Sequence, residues 1–100
     1  MTNRFAYILS FDRDDVRDYQ KIHREIITMS GIINWFHYIK SSYILISDNS
    51  SATEVSRNIR QIMPKKRFLL LRVDLKHRNG LLPQKAWDWI QKQDKVIKEK

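Results

Sequence analysis

Cysteine is missing from this chain of 100 residues, and glycine and proline occur only twice each. Without thiols there can be no disulfide, thiolate zinc site or thiol nucleophile, which agrees with a reducing compartment. Since Gly31 and Gly80 are the only glycines, no glycine-rich loop is available to cradle a phosphate, and P-loop and Rossmann nucleotide sites are excluded. No serine stands in a nucleophile-elbow context. Apolar runs stay well short of the roughly twenty residues a membrane helix needs. No signal-peptide pattern follows Met1, so the expectation is a cytoplasmic protein with no membrane partner.

Positive charge is what the chain has in excess. Lysine and arginine number 19 against 11 aspartates and glutamates, a net charge of +8. Such a surface favours anionic partners such as nucleic acid, nucleotides or acidic membrane. The length suits a single domain with one core.

Along the chain the hydrophobic period changes several times. Residues 5 to 11 alternate Phe5, Tyr7, Leu9 and Phe11 against Ala6, Ile8 and Ser10, so both faces of a first strand are largely apolar. From Asp14 or Asp15 the period becomes helical, with Val16, Tyr19, His23, Ile26, Ile27 and Ser30 on one stripe and Gly31 as the stop. Two closely spaced strands follow, over 34–40 and 43–47, as a hairpin. Ser51 and Glu54 have capping-box spacing for a helix from Ala52, whose stripe is Val55, Ile59, Ile62 and Met63 and which Pro64 closes.

A fourth strand is expected over 68–74, apolar enough to be central or well covered. Pro83 suits the first position of a short third helix over 84–91. The order strand, helix, strand, strand, helix, strand is that of a ferredoxin-like βαββαβ fold, an α+β domain with a four-stranded antiparallel sheet and two helices on one face. The single domain spans 1–91, and the basic tail 92–100 is expected to fray. The other sheet face would expose Trp35 or Phe36, Tyr43 or Ile44 and one row of the fourth strand. Burial in a homodimer is the simplest remedy.

The candidate site residues fall into two groups. Asp12 ends the first strand beside Asp14 and Asp15, where carboxylates can hold a hard cation such as magnesium or merely end a strand and cap a helix. Lys65, Lys66 and Arg67 precede the fourth strand, and Arg72, Lys76, His77 and Arg78 lie on it or after it. With Trp35, Tyr38 and Tyr43 they suggest contact with a phosphate backbone, although the aromatic consensus of an RNA-recognition motif is missing. His77 sits in the basic loop, where it either touches phosphate or is simply solvated. His23 on its apolar stripe and His37 between Phe36 and Tyr38 are expected to pack, and the three histidines lack metal-site spacing.

Three segments carry a family resemblance. Ser10-Phe11-Asp12, then Trp35-Phe36-His37-Tyr38 with Ser41-Ser42-Tyr43-Ile44-Leu45, then Leu82-Pro83-Gln84-Lys85-Ala86-Trp87-Asp88-Trp89-Ile90 resemble the small SinR-like proteins of bacteria and their phages. Those are similar in fold to the small CRISPR-associated endoribonuclease of the adaptation complex and to the VapD toxins. The likeness covers nearly the whole chain, and its Trp-Asp-Trp ending is the most distinctive part. It implies a ferredoxin-like subunit paired through its sheet into a homodimer. It also implies that Asp12 matches the aspartate proposed to bind magnesium at the dimer interface during phosphodiester cleavage. Three expectations stand: a magnesium-dependent nuclease, a non-catalytic dimeric module that binds RNA, DNA or an anionic nucleotide through its basic residues, or an interaction protein whose dimer surface recruits another protein.

Overall fold

The structure, a computed structural model, describes residues 3–12, 19–39, 41–48 and 50–98. Its elements are β1 (Arg4–Phe11), α1 (Tyr19–Ile27), β2 (Ile32–Ile39), β3 (Ser42–Asp48), α2 (Ala52–Ile62), β4 (Phe68–Val73) and α3 (Gln84–Lys98). The four strands form one antiparallel sheet in the order β2-β3-β1-β4. It is a small α+β fold with three helices. Asp14, Asp15 and Val16, expected at the start of the first helix, lie outside the described residues.

The alternation read in β1 sorts its side chains onto two cores. Tyr7, Leu9 and Phe11 join Ile22 and Ile26 of α1, Tyr43 and Leu45 of β3, and Val55 and Ile59 of α2. Ala6 joins Ile44, Ile46, Leu75 and Ile90 on the opposite face. Burying one such aliphatic side chain contributes about 1.5–3 kcal/mol. α2 starts as its sequence dictates: Ser51 Oγ accepts from the Glu54 amide at 3.2 Å, and the Ser51 amide donates to Glu54 Oε1 at 3.3 Å.

Four expectations are corrected. The third helix does not stop at Gln91 with a frayed tail but runs to Lys98, with Gln93 buried and Ile97 packed on the second core. Its last turns are clamped, since Lys98 Nζ lies 3.1 Å from carboxylate oxygens of both Asp74 and Asp94. α3 also lies on the sheet face that was expected to stay open: Ile90 is 4% exposed, and Trp89 meets Phe36 edge-on with centroids 5.2 Å apart. The stripe Ala86, Ile90, Gln93 and Ile97 is interrupted by the polar Gln93, which hides its last two turns from sequence reading.

The fourth strand is neither central nor well covered. β4 is an edge strand, and Leu69 and Leu71 are 58% and 50% exposed on the side facing away from α1 and α2. An apolar run reads the same whether one face or both are covered. The first helix ends at Ile27, four residues before Gly31, which serves the turn into β2 with φ +88°. In β2 a bulge at Ile33 shifts the register between Ile32 and Asn34, so that Ile32 and Trp35 both reach the α1 side.

Candidate nucleic-acid interface

The basic residues singled out from sequence separate into two groups at opposite ends of β4. At about 3.3 Å per residue, the strand holds them about 20 Å apart. Lys65, Lys66 and Arg67 occupy the turn that enters β4; Lys76, His77 and Arg78 occupy the turn that leaves it.

The entry end borders a groove. A cavity of about 1070 Å³ lies between α2 and β4, and Arg57, Arg60, Lys66 and Arg67 line it together with Pro64 and Leu69. Helical spacing explains the first pair: Arg57 and Arg60 stand one turn apart, on the side of α2 away from buried Val55 and Ile59. Both are exposed. The turn from Met63 through Arg67 then brings two further cations to the same opening. Four positive side chains around one groove raise the local potential far above that of a single solvated charge. Arg57 and Arg60 are absent from the sequence expectations; their signal was two arginines three residues apart on the polar side of a predicted helix, close to the Lys65–Arg67 run.

Asp12 bonds to Arg67 of this groove, and among the described residues it joins no cluster of acidic side chains. Its Oδ2 accepts from Arg67 Nε at 2.9 Å, and its amide donates to the Arg67 carbonyl at 3.2 Å. Among the described residues no group of three histidine, aspartate or glutamate side chains is placed to hold a metal ion. Within one chain Asp12 offers a single carboxylate, engaged by the Arg67 guanidinium; magnesium commonly takes one or two carboxylates and keeps several waters. Asp14 and Asp15 lie outside the described residues.

The exit end is built for stability. Arg78 donates to the Leu75 carbonyl at 2.9 Å and stands 3.7 Å from Asp94 of α3. The Lys76 amide donates to Asp74 Oδ1 at 2.9 Å, and Lys76 and His77 are exposed. Those contacts and Lys98 hold the Asp74 carboxyl below its ordinary value, the Lys76 amide being the larger cause. Arg72 lies over the Phe5 ring at 3.9 Å from its centroid, outside the groove.

The aromatic residues expected beside the cations are committed elsewhere. Tyr43 is fully buried and Trp35 packs on the α1 side of the sheet, while Tyr38 packs on the α3 side. They form no open platform for stacked bases. His23 and His37 pack, as their neighbours suggested: the His23 ring stacks on His37 at 5.5 Å and on Tyr43 at 5.7 Å.

No protein-family model, curated protein or solved structure matches the chain. No helix among the described residues is long and apolar enough to cross a membrane.

Proposed function

We propose that this protein binds the phosphate backbone of nucleic acid through the groove between α2 and β4. The observation that carries the reading is the convergence of Arg57, Arg60, Lys66 and Arg67 on one opening. Guanidinium forks match phosphate oxygens bidentately, and Lys66 adds a further positive charge. The burial of Tyr43 and the packing of half-buried Trp35 against the first core favour binding that follows the backbone and ignores base identity.

The reading is of binding without cleavage. The pairing of Asp12 with Arg67 supports it, because that carboxylate acts as counter-ion to a groove cation. A ferredoxin-like βαββαβ assignment for the first six elements belongs to the same proposal. It is supported by the strand order β2-β3-β1-β4 and by the packing of α1 and α2 into one core. Pairing of two copies, which the family resemblance implies, would use the strip around Leu69 and Leu71 that α3 leaves open.

The test is a salt titration of binding to fluorescent single- and double-stranded RNA and DNA oligonucleotides. Three or four neutralised phosphates predict a fall in affinity of about 20- to 150-fold between 50 and 200 mM salt. No binding of any oligonucleotide at the lower salt would refute the proposal.

A further inference from the structure

Away from the groove, where α1 meets β2 and β3, five rings close around one another. His23 on α1 lies edge-on to Trp35 of β2, with ring centroids 5.2 Å apart, and stacks on His37 of the same strand at 5.5 Å. Tyr43 of β3 stacks on it at 5.7 Å and shares a 2.6 Å hydrogen bond with His23 Nδ1. Tyr19, one turn earlier on α1, stacks on it at 6.5 Å and shares a 2.6 Å hydrogen bond with His37 Nε2.

We propose that His23 is an acid-sensitive latch, which holds α1 on the sheet as a neutral imidazole and releases it on protonation while the rest of the fold stays in place. The neutral ring can accept the Tyr43 hydroxyl proton at Nδ1. Protonation turns that nitrogen into a donor and forces the buried hydroxyl to reverse its role. It also places a full charge in a half-buried position, 5.5 Å from a second imidazole.

Among the described residues, the titratable groups facing His23 are Tyr19 from its own helix, His37 from β2 and Tyr43 from β3. Lys21 and Arg24 of α1 are exposed, and Glu25 is half-buried. α2 contributes apolar Val55 and Ile59 to the shared core, while its Glu54, Arg57 and Arg60 are exposed. Burial, and then the His37 charge, push His23 below its ordinary value of 6.5.

The sign follows from linkage. Released α1 returns His23 to its ordinary value, so the released form binds more protons at mildly acid pH. Docking is complete above about pH 6.5 and weakens as pH falls toward the lower docked value, with the released population rising by at most about tenfold per pH unit for one proton. α1 is only 9 residues long, a size that can open locally without global unfolding.

The experiment is amide hydrogen exchange of the full chain by NMR from pH 7.5 to 5, with the His23 ring titrated in the same samples. The expected result is a His23 titration below 6.5. Opening of α1, corrected for intrinsic exchange, should rise with a one-proton slope while Val55–Ile59 and Ala86–Ile90 stay protected. His23→Phe keeps a ring in the cage and should abolish the slope; His37→Phe should move the His23 titration upward. A His23 titration at or above 6.5, or loss of protection in α1 and α2 together, would overturn the proposal. The wild-type measurements decide the question even where a variant does not fold.

Discussion

Arg67 donates through Nε to Oδ2 of Asp12 at 2.9 Å, joining the end of β1 to the entry of β4 at the rim of the basic groove. Both side chains are open to solvent, at 91% and 47% exposure, so the pair stabilises the fold by no more than about 1 kcal/mol. Its larger effect is on the groove, where Asp12 competes with any phosphate for Arg67. Asp12→Asn is therefore expected to raise oligonucleotide affinity by up to about fivefold, the equivalent of one exposed ion pair. Fluorescence anisotropy at fixed salt checks this. Metal catalysis through Asp12 makes a different prediction, a loss of cleavage in the same variant.

Ile90 anchors α3 on the sheet face opposite α1 and α2. Ile90→Ala is expected to cost about 2–5 kcal/mol, and Ile90→Val about 0.5–1.5 kcal/mol. Each kcal/mol should lower Tm by about 4–8 °C in a domain of this size. Thermal unfolding followed by circular dichroism measures both. Equal stability of Ile90→Ala and the wild type would mean that α3 does not cover the face in solution.

The clamp on the last turns of α3 has its own pH signature. Asp74 titrates below its ordinary value of 3.8 because the Lys76 amide and Lys98 favour its charged form. Stabilisation from Asp74 is thus complete above that ordinary value and is lost as pH falls through the lower folded value. Lys98, raised above 10.5 by Asp74 and Asp94, gives the mirror image: its contribution is complete below 10.5 and is lost as pH rises through the higher folded value. Amide chemical shifts of residues 94–98 should show fraying at both extremes. Asp74→Asn should remove the acid limb.

Two copies pairing through β4 would bury Leu69 and Leu71 but bring Arg67 and Arg72 of each copy together. Added salt screens that repulsion, so self-association should strengthen with salt, opposite to nucleic-acid binding. Sedimentation velocity should show a dimer at tens of micromolar protein in about 0.3 M salt, where the Debye length has fallen to about 5–6 Å. Leu71→Lys should sediment as a monomer. A wild-type monomer at every salt would leave the strip unused.

Local signals were legible in the sequence, and placement across the sheet was not. The Ser51–Glu54 capping box and the two-faced alternation of β1 depend on neighbours a few residues apart, and both stand as expected. The Trp35–Tyr43 region was read as a hairpin, yet the two bulges in β2 that set its register left no compositional mark. Leu69 and Leu71 look like core residues until the strand order puts β4 at an edge. The same limit applied to the basic groove. Lys66 and Arg67 were visible as a run, but their meeting with Arg57 and Arg60 depends on how α2 turns back through Pro64 toward β4. Arg78 belonged by charge to the same class, yet its Asp94 partner lies 16 positions later, on a helix expected to have ended.

The most direct test of the groove is charge reversal on α2, where Arg57→Glu with Arg60→Glu changes two exposed side chains and no buried one. The doubly substituted protein should keep the wild-type circular dichroism spectrum and Tm within a few degrees. Its affinity for a fluorescent oligonucleotide at 50 mM salt should fall at least tenfold, with the slope of log affinity against log salt reduced by about 1.4–1.8 for two lost phosphate contacts. Binding with unchanged affinity and an unchanged salt slope would contradict the account.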